Sequence, residues 1–352
     1  MCIRDSGLTA LALSTAPALA ASVSIQRPST AVPQSIQTPL PGGGTIAQVQ
    51  QTILPIKQKP CPNPNRLALL RWYEANDAGH EFPVGPFPTG IAFDGDHMWV
   101  ACNGDATVRK LRASDGAELA SFSVGFSPAV VTYDGANVWV TDPTVVDVVY
   151  KLRASDGQQL AVVKTGDHPT GMAFDGQHIW ITNHFDDTLM KIRASDGAVL
   201  STLTTGSGPG APTIDGKHVW VVNSFDDTVS KFRISDDTLV GTFPVGQNPA
   251  AMAFDGTHMY VSCFDSDDVY KLRASDGAQA GVFPVGGGPL AVVFDGTHLW
   301  IGCFNVDSVA KLRASDGQHL GFFPTGQGPL HMAFDGANVW VANQDSGTVS
   351  KK

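Results

Sequence analysis

A unit of about forty residues repeats along most of this chain, and this repeat limits the possible folds more than any other feature. The heptapeptide KLRASDG and its close variants recur at 110–116, 151–157, 191–197, 231–237, 271–277 and 311–317. The triplet FDG, or a variant of it, begins at Phe93, Tyr133, Phe174, Ile214, Phe254, Phe294 and Phe334. Successive triplets are 40 or 41 residues apart, and an aromatic residue stands six positions after each one begins. The chain therefore contains seven equivalent units.

Each unit has the pattern of four short β-strands. In one unit, strand-like runs occupy 250–254, 258–262, 268–273 and 278–285, and Asp-Gly lies in two of the intervals between them. Asp-Gly between such runs is a strong signal for a tight hairpin. Four strands in about forty residues, with no helical periodicity, predict one blade of a β-propeller. We therefore expect an all-β fold, a seven-bladed β-propeller over residues 66–352.

The two ends of the repeat array complement each other. The last unit stops at Lys352, where the other units continue into a fourth strand. Residues 70–85 (LRWYEANDAGHEFPVG) resemble residues 272–286 (LRASDGAQAGVFPVG) with one additional residue. An open ring would leave strand edges unpaired, so we expect an N-terminal strand to close the last blade. A helical turn over 66–75 is the alternative, because Leu, Ala, Arg and Glu favour helix.

The first 65 residues differ from the repeats. Residues 7–21 form a short apolar run that ends in Ala18-Leu19-Ala20, which predicts a secretory signal over 1–21 and a secreted, periplasmic or extracellular protein. Residues 22–65 are rich in Pro, Gln, Ser and Thr and predict an extended arm, a linker or a disordered leader. An arm that pairs with another subunit, giving self-assembly through 22–65, is the alternative. We expect no membrane span, because the apolar run is too short to cross a bilayer.

The charge balance limits the possible partners. The formal net charge is −10, and no run of Lys or Arg occurs. A nucleic acid or an anionic membrane is therefore disfavoured. A protein or a glycan is the expected partner.

The combined pattern FDGxHxWVxN…TVxKLRASDGxxLGxFPVGxxP resembles the YVTN and NHL-like group of bacterial β-propellers and, more distantly, the repeats of streptogramin (virginiamycin B) lyase. The resemblance covers residues 66–352 and implies the propeller fold, which serves many functions. The likeness to the lyase implies a catalytic histidine at about His331. It also implies a glutamate where this chain has Asn343, and no unit has Glu at that position. The acidic partner and the metal-binding carboxylate of the lyase are thus absent from the pattern.

Two sets of repeated polar residues have a structural explanation. The residue four positions after each triplet begins is His97, His178, His218, His258 or His298, with Asn137 and Asn338 in the other two units. A ring of imidazoles is one way to bind a metal, but hydrogen bonds to the local backbone explain both residue types. We expect the arginine of KLR to pair with the FDG aspartates. An anion-binding ring is the alternative for these arginines.

The loops at the opposite end of each unit form the expected binding surface. The residue nine positions after each triplet begins varies: Cys102, Asp142, Asn183, Asn223, Cys263, Cys303 and Asn343. His168 and His331 interrupt the repeat in or beside the Gly-x-x-Pro element. We predict that the ligand-binding residues are His168, His331, Asp142, Asn183, Asn223 and Asn343. The neighbouring aspartates favour turns; the alternative is a weak site for a divalent cation such as Ca²⁺, and no other cofactor is expected.

Four cysteines remain after removal of the predicted signal: Cys61, Cys102, Cys263 and Cys303. Cys263 and Cys303 occupy equivalent positions in neighbouring units, where a disulfide would need Cα atoms within about 7 Å. We expect buried free thiols, with a Cys263–Cys303 disulfide as the alternative. Cys61 is a candidate to link the arm to the propeller, for example through Cys102.

The sequence supports three hypotheses about function. The first is an exported, non-enzymatic binding or scaffold module that presents the face carrying His168 and His331 to a protein or glycan. The second is an enzyme of the lyase or lactonase kind that uses His331 as a base together with a divalent metal. The third is a subunit of an extracellular assembly joined by the arm at 22–65.

Overall fold

The computed structural model describes residues 80–352 of the chain. The predicted signal (1–21), the predicted arm (22–65) and residues 66–79 lie outside the described residues, as does Cys61. The described residues form a seven-bladed β-propeller, as the repeat predicts, with seven four-stranded antiparallel sheets. No helix in this part of the chain is long and apolar enough to cross a membrane.

The strands follow the repeat from blade to blade. Blade 1 contains β2 (Pro88–Phe93), β3 (His97–Cys102), β4 (Thr107–Arg112) and β5 (Glu118–Ser123). Blade 2 contains β6 (Val131–Tyr133), β7 (Asn137–Asp142), β8 (Val148–Arg153) and β9 (Gln159–Lys164). Blade 3 contains β10 (Pro169–Phe174), β11 (His178–Asn183), β12 (Thr188–Arg193) and β13 (Val199–Thr204). Blade 4 contains β14 (Pro209–Ile214), β15 (His218–Asn223), β16 (Thr228–Arg233) and β17 (Leu239–Pro244). Blade 5 contains β18 (Pro249–Phe254), β19 (His258–Cys263), β20 (Asp268–Arg273) and β21 (Gln279–Pro284). Blade 6 contains β22 (Pro289–Phe294), β23 (His298–Cys303), β24 (Ser308–Arg313) and β25 (His319–Pro324). Blade 7 contains β26 (Pro329–Phe334), β27 (Val339–Asn343), β28 (Thr348–Lys351) and β1 (His80–Pro83). Short 3-10 turns occur at η1 (Asn103–Asp105) and η2 (Phe304–Val306).

Both Asp-Gly elements of a unit form the hairpins that the sequence predicts. In blade 5 the first turn closes with a bond from the Asp255 N–H to the His258 carbonyl at 3.1 Å. The second closes with a bond from the Gly277 N–H to the Arg273 carbonyl at 2.8 Å, and Gly277 has a φ of 75°. This left-handed backbone favours glycine, because a Cβ would clash with the neighbouring carbonyl.

The outer strand of blade 7 comes from the chain before blade 1. Strand β1 pairs antiparallel with β28, with Glu81 opposite Ser350 and Phe82 opposite Val349. The Phe82 ring stacks on Trp340 of the same blade with a centroid distance of 5.7 Å.

The hydrophobic core lies between neighbouring blades. Seven clusters of buried apolar residues fill the spaces between the sheets, including the space between blade 7 and blade 1. The largest member in each space comes from the second strand of a blade: Trp99, Trp139, Trp180, Trp220, Tyr260, Trp300 and Trp340. Because such rings bury 150–250 Å² each (roughly), they supply a large part of the stabilising free energy.

The lysine of KLR links a blade to the next one in blades 1 to 5 and in blade 7. In blade 4 the Lys231 Nζ lies 4.7 Å from the centroid of the Trp220 ring and donates a 2.6 Å hydrogen bond to the Ala274 carbonyl of blade 5. Lys351 makes the same bond from blade 7 to the Ala113 carbonyl of blade 1, at 2.7 Å. Burial lowers the pKa of Lys231, although the carboxylates of Asp215 and Asp276 oppose this effect. The repeat therefore keeps lysine here because it joins neighbouring blades.

The predicted pairing of the KLR arginines with the FDG aspartates is wrong. Arg233 pairs instead with Asp236, three residues later, at 2.8 Å in an exposed turn. The FDG aspartate Asp215 turns inward, where its carboxylate accepts a 2.8 Å bond from the indole N–H of Trp220. An arginine at the end of the third strand points outward and does not reach this buried carboxylate.

The repeated histidines also have a structural role, although their partner differs from the expected backbone. The Nδ1 of His218 lies 3.0 Å from the Asp215 carboxylate. Asn137 holds the equivalent Asp134 with its side-chain amide at 3.0 Å, which explains why Asn can replace His in the repeat.

Candidate functional site

One end of the propeller, here called the loop face, is built from two interlocking sets of loops. The Gly-x-x-Pro loops join the outer strand of one blade to the inner strand of the next, and short turns join the second and third strands within each blade. In blade 4 the Ser224 N–H donates to the Gly208 carbonyl at 3.0 Å, and the Phe225 N–H donates to the Ser207 carbonyl at 3.2 Å. The Ser207 N–H in turn donates to the Asp226 carboxylate at 2.7 Å. Each loop thus fixes the other.

Four of the predicted ligand-binding residues lie beneath this face, with no exposed surface: Asp142, Asn183, Asn223 and Asn343. The Asn183 Oδ1 accepts the Gly166 N–H at 3.2 Å, and its Nδ2 donates to the Thr188 hydroxyl at 2.9 Å. Asn223 makes the equivalent bonds in blade 4. A binding role for these residues stays a prediction, and their burial limits it to holding the loops that a ligand would touch.

In Asp142 and in Asn343, only one of the two polar side-chain atoms has a hydrogen-bond partner among the described residues. The Asp142 Oδ2 accepts the Phe126 N–H at 2.6 Å, while its buried Oδ1 has no partner among the described residues. The Asn343 Oδ1 is also without a partner in that part of the chain, because the Gly326 N–H donates to the Ser350 hydroxyl instead. Both positions thus depart from the bonding of Asn183.

The aspartates at the end of the turns between the second and third strands also accept hydrogen bonds from the loop backbone. The Asp187 Oδ1 accepts the Gly208 N–H at 2.8 Å, and the Asp227 Oδ1 accepts the Asn248 N–H at 2.8 Å. Within residues 80–352 no group of three or more His, Cys, Asp or Glu side chains could hold a metal ion. The described residues therefore do not fit the divalent metal of the lyase hypothesis. The cation site suggested by the acidic loops stays a prediction.

His168 is one of several non-glycine residues on the loop face that have a left-handed backbone. Its φ is 59°, and Phe87 at the equivalent position has a φ of 52°. Other units place Gly208, Gly288, Gly328 or Asn248 there. A left-handed residue other than Gly or Asn costs about 1–2 kcal/mol. The same conformation occurs at Phe87, Ala106, Asp187 and Asp227, so strain of this kind, which concentrates at functional sites, marks the loop face as a whole.

Next to His168 lies a cluster of aromatic rings, here called the aromatic patch, formed by His168, His184, Phe185 and Phe225. The ring centroids of His168 and Phe185 are 4.7 Å apart, and His184 lies 5.1 Å from both Phe185 and Phe225. Phe185 is 62% exposed and Phe225 is 66% exposed. The patch joins blades 3 and 4 at the surface. Further exposed apolar side chains on the same face are Phe87, Phe126, Val145 and Val306.

The sequence prediction included His168 but missed the other members of the aromatic patch. The signal was present in HFDD at 184–187 and SFDD at 224–227. Each places an aromatic residue in a tight turn, where polar residues are usual.

The structure separates His331 from the aromatic patch. His331 lies on the inner strand β26, directly after a β-bulge, on the same side as Ala333, which packs between blades 7 and 1. Burial lowers the pKa of its imidazole. No hydrogen bond or ion pair joins His331 to another side chain in the described part of the protein. The structure therefore places no acidic partner beside it.

The described cysteines are free thiols. Cys102, Cys263 and Cys303 are all buried and unpaired, as expected, and the alternative Cys263–Cys303 disulfide is not formed. Burial raises the pKa of Cys102 and Cys263 to about 12, and that of Cys303 to about 11. These thiols are inert core residues at neutral pH.

Comparison with known proteins supports the fold. No protein family and no curated protein matches the sequence. Among solved structures, hydrazine synthase of Kuenenia stuttgartiensis is similar with a TM-score of 0.67 and 18% identity, over 76% of this chain and 95% of that chain. A streptogramin B lyase structure gives a TM-score of 0.66 and 17% identity, over 78% and 96%. U3-55K gives 0.67 and 14%, over 76% and 95%.

At these identities the similarity shows the propeller fold alone. The likeness to streptogramin lyase therefore holds at the level of architecture. Membership of the YVTN or NHL-like group stays a prediction.

Proposed function

We propose that this protein is an exported, non-enzymatic binding module that holds a protein or glycan partner on its loop face, at the aromatic patch. The observation that carries this proposal is the pair of exposed rings of Phe185 and Phe225 on adjacent blades, joined through His184. Contiguous exposed apolar surface of this kind marks interaction sites. Aromatic side chains also dominate the binding energy of interfaces.

The fold does not require these rings. The positions equivalent to Phe185 carry Asp265, Asn305 and Asp345 in blades 5, 6 and 7. The backbone N–H of each donates to the Gly-x-x-Pro loop, as that of Phe185 does. A polar residue is therefore sufficient for the architecture. Two phenylalanines exposed to water without a structural need favour selection for contact with a partner.

The enzymatic hypothesis has less support. It needs His331 together with an acidic partner, and the equivalent position of the lyase pattern is Asn343, which has no exposed surface. The similar solved structures include enzymes and non-enzymes of the same fold, so similarity alone does not decide between the enzymatic and the non-enzymatic hypothesis. Assembly through residues 22–65 concerns the part of the chain outside the described residues and stays a separate hypothesis.

The test compares the purified protein with the double variant Phe185→Ala/Phe225→Ala on two probes, a glycan array and a phage-displayed library of random 12-residue peptides. We expect ligands on at least one probe whose binding is lost in the double variant. Leu239→Ala is the matched control, because Leu239 is a 55% exposed apolar residue on the outer strand β17, away from the loop face. Ligands that bind the double variant as well as the wild type would refute the proposal. A His331→Ala variant that loses binding while the patch variant keeps it would favour the lyase-like alternative.

A further inference from the structure

The loop face is acidic as well as aromatic. Five carboxylates stand on the loops of blades 3 and 4 around the aromatic patch: Asp167, Asp186, Asp187, Asp226 and Asp227. The lysines and arginines of these blades lie at the other end of the third strands, where they contact aromatic rings and the exposed turns. The propeller is thus polarised, with negative charge gathered around the exposed rings.

Few cations balance this charge. In the part of the chain that the structure describes, ion pairs to loop-face carboxylates come from Arg109, which pairs with Asp105 at 2.6 Å, and from Lys164, which lies 3.5 Å from Asp147. Both pairs belong to blades 1 and 2. Four of the five carboxylates beside the patch accept hydrogen bonds from backbone N–H groups: Asp186, Asp187, Asp226 and Asp227. These bonds fix the position of each carboxylate but do not neutralise its charge.

The same short motif occurs twice within the patch. Phe185 is followed by Asp186, and Phe225 is followed by Asp226, in equivalent turns of adjacent blades. The Oδ2 of Asp186 accepts the Asp167 N–H at 2.8 Å, and the Oδ2 of Asp226 accepts the Ser207 N–H at 2.7 Å. Both side chains are exposed, so the second oxygen of each carboxylate remains open to a ligand.

An aromatic face beside a carboxylate suits an organic cation. The ring quadrupole attracts a Lys ammonium or an Arg guanidinium within about 6 Å of the ring centroid. The neighbouring carboxylate adds a charge-assisted hydrogen bond. A neutral glycan would use the rings but gain little from the negative charge, and an acidic glycan would be repelled.

We propose that the partner is a basic polypeptide segment whose Lys or Arg side chains stack on Phe185 and Phe225 and pair with Asp186 and Asp226. This inference rests on the proposed function, because it names the partner class for the same patch. The two Phe rings each lie 5.1 Å from His184, so their centroids are at most about 10 Å apart. An extended peptide advances roughly 3.3 Å per residue, so two basic residues within three positions of each other reach both rings.

The test uses peptides selected from the random 12-residue library and measures their affinity for four forms of the protein. These are the wild type, Phe185→Ala/Phe225→Ala, Asp186→Asn/Asp226→Asn, and Asp96→Asn. Asn keeps the oxygen that accepts the backbone N–H while removing the charge. Asp96 is an exposed carboxylate at the other end of the propeller and serves as the charge control.

We expect patch-dependent peptides to carry paired Lys or Arg residues and to lose affinity roughly tenfold in each double variant. Their affinity falls as NaCl rises from about 50 to 500 mM, because salt screens exposed charges. Asp96→Asn binds like the wild type.

The outcomes separate the two proposals. Ligands that need Phe185 and Phe225 but show no enrichment of Lys or Arg, or that ignore Asp186→Asn/Asp226→Asn, overturn the inference and leave the proposed function standing. Patch-dependent binding to glycans alone does the same. Ligands that ignore the two phenylalanines overturn both.

Discussion

Replacing Asp215 by alanine tests the claim that the FDG aspartates hold the blades together. This carboxylate is 6% exposed and accepts four hydrogen bonds, from the indole N–H of Trp220, the backbone N–H groups of Lys217 and His218, and the His218 ring. Alanine removes every acceptor at once. The indole N–H of Trp220 is then left inside a core where its ring has no exposed surface.

The expected loss follows from these bonds. A buried donor without a partner costs about 1–3 kcal/mol, and the lost turn bonds add about 1 kcal/mol. We therefore expect the free energy of unfolding to fall by about 2–4 kcal/mol. For a domain of this size, roughly 2 °C accompanies each kcal/mol, so the melting temperature falls by roughly 4–8 °C.

The measurement is urea unfolding followed by tryptophan fluorescence, with calorimetry for the melting temperature. Asp236→Ala is the control in the same blade, because its pair with Arg233 is exposed and exposed pairs contribute little. We expect its melting temperature to fall by no more than roughly 2 °C. If Asp215→Ala melts within that range too, the carboxylate does not support the core and the reasoning is wrong.

Three further predictions concern acid, thiols and the strained loop. Burial raises the pKa of Asp255, but bonds from the His258 N–H, the Thr257 hydroxyl and N–H and the Tyr260 hydroxyl outweigh it and lower the pKa from 3.8 to about 2. A carboxylate whose pKa is lower in the folded than in the unfolded protein stabilises the fold above its unfolded-state pKa, and this stabilisation is lost on acidification. The urea concentration at the unfolding midpoint should therefore fall between pH 4 and pH 2. A fall that begins near pH 6 would contradict this. Iodoacetamide at pH 8 should leave Cys102, Cys263 and Cys303 unmodified in the native protein and modify all three in urea, as peptide mass spectrometry can show; rapid native labelling would disprove their burial. His168→Gly should keep the unfolding free energy within about 1 kcal/mol, since relief of left-handed strain offsets the added chain entropy of glycine, yet weaken binding of patch-dependent peptides; a larger loss of stability would mean that His168 serves the fold.

The repeat predicted the architecture because every unit must satisfy the same local constraints. The spacing of the Asp-Gly turns fixed the hairpins, and the third strand of blade 5 was predicted at 268–273, where β20 (Asp268–Arg273) lies. The second strand was placed equally well, with β19 (His258–Cys263) covering 258–262. Each of these strands adjoins an Asp-Gly turn at one end, and a shift of the pairing register by one residue would turn its buried side chains outward.

Side-chain partners were harder to predict, because they depend on which way a residue turns at the end of a strand. Arg233 and Asp215 lie on the same side of the propeller. No pattern in the sequence indicates that the indole of Trp220 bonds to the Asp215 carboxylate while Arg233 pairs with Asp236 of its own turn. The aromatic patch was missed for a related reason. Phe185 and Phe225 lie 40 residues apart, and only the stacking of blades 3 and 4 brings Phe225 to His184, the sequence neighbour of Phe185.

The bond from Lys351 to Ala113 has a consequence for how the chain folds. It spans 238 residues, whereas the equivalent lysine bonds of blades 1 to 5 span 43 or 44. Closing the longer loop costs about 1.5 kcal/mol more chain entropy. During synthesis the early blades can stack as they emerge, but their two terminal apolar surfaces stay exposed until the final strands leave the ribosome. Folding should therefore end with a slow step that closes the ring. Until this step is complete, the two exposed apolar surfaces are the parts of the chain that chaperones would bind.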